Sequence, residues 1–315
     1  MKYLFIRTQN SELRTQNSEL RTQNSELRTQ NSELRTQHSE HRTQNSELRT
    51  QNSELRTQNS ELVKSASNNQ IKLLRKLGQK KYREKEGLFV VEGERAVEQV
   101  LENGILNVRE VFVDKEANSY QLTAISSYLI DTKTFDELSD TENSQGILAI
   151  CEIPKEASVE ELSKKEGLIV ATDRIQDPGN LGTIVRTAAW FGASSILVGK
   201  GSVDLHHPKV VRSTAGATGV LSYRNSDLDK DLEVFEKEGW QVLLLDGNEG
   251  ALPISEMSST NKTVLIVGNE ANGVDANLIT SSRKRVMIPS EKNNRSVESL
   301  NAAIALSIAL YQLNG

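Results

Sequence analysis

The sequence has a single cysteine, few aromatic residues and no long apolar run. The lone thiol, Cys151, excludes an internal disulfide and a zinc site built from cysteines. No stretch is long and apolar enough to span a bilayer, and the opening apolar run, which ends at Ile6, is too short for a signal peptide. We therefore expect a cytoplasmic protein with no membrane partner.

Common nucleotide-binding and hydrolase signatures are also missing. The chain contains no Walker loop, no Gly-x-Gly-x-x-Gly turn and no Gly-x-Ser-x-Gly elbow, so kinase-like, dinucleotide-binding and hydrolase functions lose their main support. The adjacent His206 and His207 have no third ligand in evidence. We interpret them as surface histidines and expect no metal site.

The first part of the chain is repetitive. Residues 7–62 are eight consecutive heptads of the unit Arg-Thr-Gln-Asn-Ser-Glu-Leu, altered only in the fifth copy. Each heptad has one apolar residue, whereas a coiled coil needs two, and Asn, Ser and Thr favour caps and turns. We predict that residues 1–62 are a low-complexity, disordered or marginally helical tract, with a weak parallel coiled coil as the alternative. Because the copies are nearly identical, which indicates recent duplication, we expect the functional protein to begin near Leu62 or Val63.

Charge is concentrated just after the repeats. The net charge is -5, but residues 63–87 carry eight lysines and arginines against two glutamates. This basic segment is either a phosphate-facing surface or an ordinary solvated helix face. The candidate RNA contacts within it are Lys72, Arg75, Lys76, Lys80, Lys81 and Arg83.

The rest of the chain has the pattern of two α/β domains. Short apolar runs predict strands at residues 88–91, 111–113 and 147–150 and a helix over 94–102, which makes residues 63–152 a small α/β domain. Residues 153–166 are charged and poor in large apolar side chains, as in a linker. In residues 167–315, strands at 168–171, 195–198, 242–245 and 264–267 alternate with helices. This alternation predicts a mostly parallel sheet with helices on both faces.

Ligands of such sheets bind outside the carboxyl ends of the strands. The first segment placed there, residues 177–186, puts Arg186 in the apolar body of a helix that Asn180 is suited to cap. The helix would leave the guanidinium partly dehydrated, so Arg186 needs an explanation. It is either a structural arginine with a partner or an anion clamp, because helical side chains lean toward the N-terminal end, where Asn180 lies.

Two further segments follow predicted strands. Gly268 and Gly273 bracket two amides and a carboxylate, either as a close approach of backbone to a ligand or as an ordinary strand-to-helix turn. Ser299 is placed to cap a helix over residues 300–313 that is apolar nearly all round. Such a helix must be buried, either in the domain core or in a subunit interface.

Taken together, these motifs resemble the SpoU branch of the SPOUT RNA 2'-O-ribose methyltransferases. The resemblance rests on Asn180 with Arg186 six residues on, the Gly268-Asn269-Glu270 turn, and Ile288-Pro289 followed by Glu298-Ser299-Leu300-Asn301. It covers residues 167–315, and the preceding unit, with Phe89-Val90-Val91-Glu92-Gly93, resembles the small substrate-binding domain often fused to that branch. The repeat tract has no counterpart.

The resemblance implies an α/β fold with a C-terminal trefoil-knotted, mostly parallel sheet, preceded by a small α/β substrate-binding domain. It also implies S-adenosylmethionine as methyl donor, a structured RNA such as ribosomal or transfer RNA as substrate, and a homodimer. By family position, the donor contacts are Gly268, Ile288 and Leu300. The catalytic and substrate-binding set is Asn180, Arg186, Glu270, Ser299 and Asn301.

Two points in this resemblance stay open in the sequence. Family proposals make the arginine the base, but an arginine is very hard to deprotonate, so we favour Arg186 as a bidentate phosphate clamp. Residues 290–297 are also longer and more polar than the family's usual glycine-containing turn. A non-catalytic RNA-binding module of the same fold is therefore the alternative to an enzyme.

Overall fold

The computed structural model describes residues 64–117, 126–141, 144–247, 250–258, 260–269, 272–290 and 299–314. The repeat tract lies outside these residues, and so does the prediction that it is disordered or a weak coiled coil. From Lys64 onward the chain is one compact unit that contains two β-sheets. Within the described ranges, none of the helices has the length and apolar character needed to cross a membrane.

The first sheet has five strands in the order β1-β4-β3-β5-β2. Its strands are β1 (Lys64–Ser65), β2 (Leu88–Glu92), β3 (Val108–Asp114), β4 (Ser127–Ile130) and β5 (Ile147–Glu152). β5 runs antiparallel to both of its neighbours, whereas β1, β4 and β3 are parallel. The helices of this part are α1 (Asn68–Leu77), α2 (Lys80–Glu86), α3 (Glu94–Asn103) and α4 (Thr132–Leu138).

Both faces of the first sheet are covered, because successive residues of a strand point to opposite sides. Phe89 and Val111 pack with the apolar residues of α3 on one face. Leu88 and Phe112 pack with those of α1 and α4 on the other. Cys151 is buried in β5, and burial raises the pKa of its thiol to about 12, so it is not available as a nucleophile.

The second sheet has seven strands, all parallel, in the order β10-β12-β9-β11-β6-β7-β8. The strands are β6 (Gly167–Thr172), β7 (Ser195–Gly199), β8 (Ser222–Ser226), β9 (Gln241–Leu245), β10 (Leu252–Pro253), β11 (Lys262–Val267) and β12 (Lys284–Met287). The helices are α5 (Val159–Ser163), α6 (Pro178–Trp190), α7 (Pro208–Ser213), α8 (Leu228–Lys237) and α9 (Ala302–Asn314).

Helices cover both faces of this sheet. Side chains of α6, α7 and α9 form one apolar cluster with alternate residues of the central strands. Side chains of α5 and α8 form a second cluster with the other residues of those strands. The predicted mostly parallel sheet with helices on both faces is confirmed. Within the segment predicted as a linker, α5 buries Val159 and Leu162 against the second cluster.

The predicted burial of the last helix is half right. α9 packs against α6 and buries one side, which includes Leu306 and Leu310. Its other side is exposed, as are Leu300 just before it and Trp190 at the end of α6. We call this the apolar helix surface and define it as Trp190, Leu300, Ile304, Ile308 and Tyr311. Trp190 is 85% exposed and Tyr311 71%, which is unusual for side chains of this size.

Candidate active site and RNA-binding surface

The three loops predicted to carry function leave the second sheet from one edge. In the strand registers, Val267 of β11 lies beside Thr172 of β6 and Leu245 of β9, and Leu245 lies beside Val286 of β12. The carboxyl ends of four adjacent strands are therefore level. The segments that begin at residues 173, 268 and 288 start from this common edge.

The entry of α6 differs from the prediction in its cap. Asp177, not Asn180, is the N-cap, because the Oδ1 atom of Asp177 accepts a hydrogen bond from the Asn180 backbone N–H at 2.7 Å. Pro178 occupies the first helical position, where a missing N–H costs nothing. Asn180 is thus inside the first turn, and its side chain makes a different contact.

That contact joins the first and third motifs. The Asn180 Oδ1 atom accepts a hydrogen bond from Asn301 Nδ2 at 2.9 Å, across 121 positions of sequence. Asn301 also caps α9, since its Oδ1 accepts from the backbone N–H groups of Ala303 at 3.0 Å and Ile304 at 3.3 Å. The prediction that Ser299 caps this helix is therefore wrong, because the helix begins at Ala302 and its cap is Asn301, two residues after Ser299.

Arg186 is exposed, contrary to the expectation of a partly dehydrated guanidinium. The buried positions of α6 include residues 184, 185 and 188, and Arg186 lies about 200° round the helix from 184 and from 188. It shares the outer side of the helix with Thr183 and Trp190. The part of the chain that the structure describes contains no hydrogen bond or ion pair to Arg186. The structural interpretation, which required a partner, therefore loses its support.

Arg186 has the reach for the site at the start of α6. Six residues separate it from Asn180, which is about 9 Å along the helix axis. A helical side chain leans toward the N-terminus of its helix, and an extended arginine spans much of that distance. Six residues also correspond to about 120° round the helix, so whether the guanidinium acts beside the Asn180 and Asn301 pair is a proposal taken up below.

The second motif forms a tight turn after β11. A Cβ added at Gly268 would overlap the backbone of Gly273 and Val274, so only glycine fits there. The Gly273 N–H donates to the Asn269 carbonyl at 2.8 Å and closes the turn, with Gly273 itself at a φ of 66°. Glu270, the predicted carboxylate of this motif, lies outside the described residues.

A charged cluster beside this turn was missed from the sequence. Asp173 is buried, and its Oδ2 accepts a hydrogen bond from the Asp275 N–H at 2.7 Å. Arg174 pairs with the carboxylates of Asp275 at 2.8 Å and Asp173 at 3.2 Å. Burial raises the pKa of Asp173 above its usual value, against the opposing effect of the Asp275 N–H and Arg174. The available signal was an Asp-Arg pair directly after a buried strand.

The predicted donor contacts start from the same edge but are not in mutual contact in the described structure. β9 lies between β11 and β12, so Gly268 and Ile288 are two strands apart, about 10 Å. Ile288 is half-buried against the apolar cluster of α6, α7 and α9. Leu300 is largely exposed, just ahead of Asn301. Residues 291–298, most of the longer segment noted in the sequence, lie outside the described residues.

The basic segment forms α1 and α2, and most of its cations face outward. Lys72, Lys76, Lys80 and Lys81 are exposed, and Arg75 makes an exposed ion pair with Glu137 at 2.6 Å. The ammonium groups of Lys76 and Lys81 lie 5.6 and 4.7 Å from the centre of the Tyr82 ring. This side of the first sheet therefore presents clustered positive charge.

Arg83 was wrongly predicted as an RNA contact. Its side chain is 2% exposed and lies between the two sheets rather than on the surface. Nη2 and Nε donate to Asp204 Oδ2 at 2.5 and 3.1 Å, and Nη1 donates to the Leu77 carbonyl at 2.8 Å. With these bonds made inside the protein, the guanidinium has a structural role.

The two histidines also differ from the surface interpretation. His206 is buried between the rings of Phe89 and Tyr223, with ring centroids 4.9 and 5.2 Å away. Burial lowers its pKa to about 4, although the neighbouring Asp204 acts in the opposite direction. His207 caps α7 by accepting a hydrogen bond from the Lys209 N–H at 3.2 Å. Among the described residues there is no group of three or more His, Cys, Asp or Glu side chains suited to a metal ion.

Comparison with known proteins finds a matching family for each of the two sheets. Residues 167–311 match the SpoU rRNA Methylase family, and residues 68–149 match the MRM3-like substrate binding domain. The chain is 34% identical over 256 residues to the 23S rRNA (guanosine(2553)-2'-O)-methyltransferase RlmP of Bacillus subtilis, which covers 80% of this chain and 99% of that protein. It is 27% identical to the 23S rRNA (uridine(2479)-2'-O)-methyltransferase of Streptomyces viridochromogenes, over 75% of this chain and 85% of that one.

Solved structures give the same result. An AdoMet-bound rRNA methyltransferase from Sinorhizobium meliloti superposes with a TM-score of 0.69 at 26% identity, covering 80% of this chain and 96% of that one. The SpoU methyltransferase AviRb from Streptomyces viridochromogenes, in complex with AdoMet, has a TM-score of 0.68 at 25% identity, covering 79% and 97%. The similarity therefore extends over nearly the whole of these proteins.

Proposed function

Because this chain belongs to the SpoU rRNA methylase family, we propose that it transfers a methyl group from S-adenosylmethionine to a ribose 2'-hydroxyl of ribosomal RNA. The observation that carries this proposal is the hydrogen bond between Asn180 and Asn301. It joins the first and third motifs at the level edge of the parallel sheet, with the exposed Arg186 on the same helix as Asn180. A site that combines hydrogen-bonding groups with an exposed arginine suits a sugar–phosphate substrate.

The residues at this edge fit the methyl donor. Gly268 lets the two sides of the turn pack directly against each other, because a side chain there would overlap the backbone of Gly273 and Val274. Gly268 and Ile288, with Leu300 from the start of α9, would hold S-adenosylmethionine largely through backbone groups. When bound, the donor supplies a methyl group on a positively charged sulfur, and transfer to the ribose oxygen leaves S-adenosylhomocysteine and releases the hydroxyl proton.

Arg186 acts on the substrate rather than on the donor. Its guanidinium binds the phosphate next to the target ribose through two parallel hydrogen bonds and so orients the 2'-hydroxyl. Its positive charge also stabilises the negative charge that develops on the attacking oxygen. Because arginine is very hard to deprotonate, we assign it this clamping role and not that of the base. Asn180, Ser299 and Asn301, together with Glu270, complete the substrate-binding set.

The outward lysines of α1 and α2 bind the RNA at a distance from the chemistry. Lys72, Lys76, Lys80 and Lys81 contact phosphates, which adds affinity without base specificity. Tyr82, already beside two ammonium groups, gives this surface a flat apolar contact for an unpaired base. In this proposal residues 63–152 are the substrate-binding domain and residues 167–315 the methyltransferase domain, and α5 of the predicted linker 153–166 packs with the methyltransferase domain.

The apolar helix surface supports a homodimer. Four exposed apolar side chains on α6 and α9, with Leu300 just before α9, suit a protein–protein interface. This surface includes Leu300 and adjoins Arg186, so dimer formation would place the partner subunit beside the active site. We further propose that the C-terminal segment carries the family's trefoil knot and that the protein works in the cytoplasm, where ribosomal RNA is accessible.

A methylation assay tests the proposed reaction. Purified protein, S-adenosylmethionine labelled in its methyl group and unmodified ribosomal RNA should yield labelled RNA with one phosphodiester bond resistant to alkaline hydrolysis, as expected for a 2'-O-methyl ribose. Mapping ribose methylation in RNA from cells with and without the gene then identifies the nucleotide. Folded protein that binds RNA but transfers no label would instead be a non-catalytic RNA-binding module.

A further inference from the structure

We infer that Arg174 is a positioning residue for donor binding, because it holds the turn at Gly268 in one shape through Asp275 and Asn269. The inference rests on the proposed donor site and adds to it a residue outside the three motifs. Arg174 follows β6, whereas the turn follows β11, and the two strands are neighbours in the sheet. The cluster therefore connects the loop of the first motif with the turn of the second.

Both flanks of the turn are tied to the residues that follow β6. On the entering side, Asn269 Nδ2 donates to the Arg174 carbonyl at 3.0 Å. On the leaving side, Arg174 Nη1 pairs with Asp275 Oδ2 at 2.8 Å, and the Asp275 N–H donates to Asp173 at 2.7 Å. The Asp173 N–H in turn donates to the Val267 carbonyl at 2.9 Å, at the last residue of β11. The turn is thus fixed at its start, its end and its base.

Two features of Arg174 are energetically unfavourable. Its φ is 55°, in the left-handed region that a residue with a side chain seldom adopts. Within the described ranges its Nε atom is buried and has no hydrogen-bond partner. Backbone strain and unsatisfied donors of this kind collect at functional sites, where the surrounding structure holds a residue in a required position. Here that position lets one side chain reach Asp275 while its carbonyl meets Asn269.

A prearranged turn would favour donor binding. A backbone segment that is already in its binding conformation loses less freedom when the ligand arrives, so the measured affinity is higher. Without the Arg174 contacts, the turn would sample other conformations, and part of the binding free energy would be consumed in ordering it. The effect falls on donor affinity and much less on the chemical step.

Arg174→Gly tests this directly, because glycine accepts the φ of 55° and removes the ion pair. Calorimetry with S-adenosylmethionine alone, at a temperature where the donor-free variant is folded, should show a dissociation constant raised about tenfold. In steady-state methylation, the donor KM should rise with little change in kcat. Asp275→Asn keeps the backbone N–H and the cap of the 3-10 helix Ala276–Leu278, and should raise the dissociation constant to a similar extent.

The controls separate positioning from general stability. Arg224→Gln removes another half-buried arginine–carboxylate pair, with Asp231, on the edge strand β8, and should lower stability without changing the dissociation constant. Combining Arg174→Gly with Asp275→Asn should add little to either change alone. An unchanged dissociation constant in Arg174→Gly, whether or not the stability falls, would overturn the inference. If the wild type shows no methyl transfer, the proposed function fails, but the effect of Arg174→Gly on donor binding still tests this inference.

Discussion

Replacing Arg83 by leucine should lower stability and leave RNA affinity unchanged, although Arg83 belongs to the most basic segment of the chain. The side chain is buried and makes two hydrogen bonds to Asp204 and one to the Leu77 carbonyl. Removing one partner of a buried ion pair costs about 3–5 kcal/mol, because the other charge remains buried. The Asp204 side chain is 19% exposed, so water can reach it and the lower figure of about 3 kcal/mol applies. For a chain of this size that lowers the temperature of unfolding by about 6–12 °C.

The pH dependence gives this prediction a second measurement. Burial alone would raise the pKa of Asp204, but the hydrogen bonds and charge of Arg83 hold it below its usual value. A carboxyl whose pKa is lowered by folding stabilises the protein above its unfolded pKa and loses that contribution as the pH falls through the folded one. The stability difference between wild type and Arg83→Leu should therefore be largest at neutral pH and shrink in acid.

The assay compares unfolding with RNA binding. Thermal unfolding followed by circular dichroism gives the stability change, and fluorescence anisotropy with a ribosomal RNA fragment, well below the unfolding transition, gives the affinity. Lys80→Ala is the matched control, since this exposed lysine should weaken RNA binding and reduce its salt dependence without changing stability. If Arg83→Leu instead unfolds like the wild type and binds RNA more weakly, the assignment of Arg83 to the interior is wrong.

Further predictions concern other parts of the molecule. Arg186→Lys keeps the charge but loses the two parallel hydrogen bonds to the phosphate. Methyl transfer should fall about 100-fold or more, while calorimetry shows unchanged donor binding. Wild-type turnover in this variant would refute the role of Arg186 as a phosphate clamp. Trp190→Glu places a charge on the apolar helix surface and should convert a dimer into monomers in light scattering, whereas an unchanged mass would exclude this surface as the interface. His206→Phe should make the free energy of unfolding depend less on pH in mild acid. Because burial lowers the pKa of His206, the wild type loses about 3 kcal/mol of unfolding free energy as the pH falls from 6.5 to 4. Chemical denaturation across that pH range measures the difference.

Sequence patterns predicted the interior of the parallel sheet well and its outer strands poorly. β6, β7, β9 and β11 are continuous apolar runs, typical of strands buried on both faces. β8 and β12, with the sequences Ser-Tyr-Arg-Asn-Ser and Lys-Arg-Val-Met, carry polar and charged residues and are held by pairing with β7 and β9. Nothing in their own composition indicates a strand, since the neighbouring strand supplies the reason.

The candidate site shows the same division. The first two functional loops follow the apolar runs of β6 and β11, whereas the third follows the more polar β12, and all three leave the sheet at one edge. The exposure of Arg186 was mispredicted because its apolar neighbours in sequence, such as Val185, lie on a different side of the helix. The hydrogen bond between Asn180 and Asn301 depends on how α9 docks against α6, and no local pattern encodes that packing.

The hydrogen bond between Asn180 and Asn301 also determines when, during synthesis of the chain, the site can be complete. α9 is the last helix in chain order, yet it supplies Asn301 to a site whose other half is made at the start of α6, more than a hundred residues earlier. Contacts of large sequence separation slow folding, because the loop between them must close first. The site is therefore complete only after α9 has been synthesised and has docked against α6.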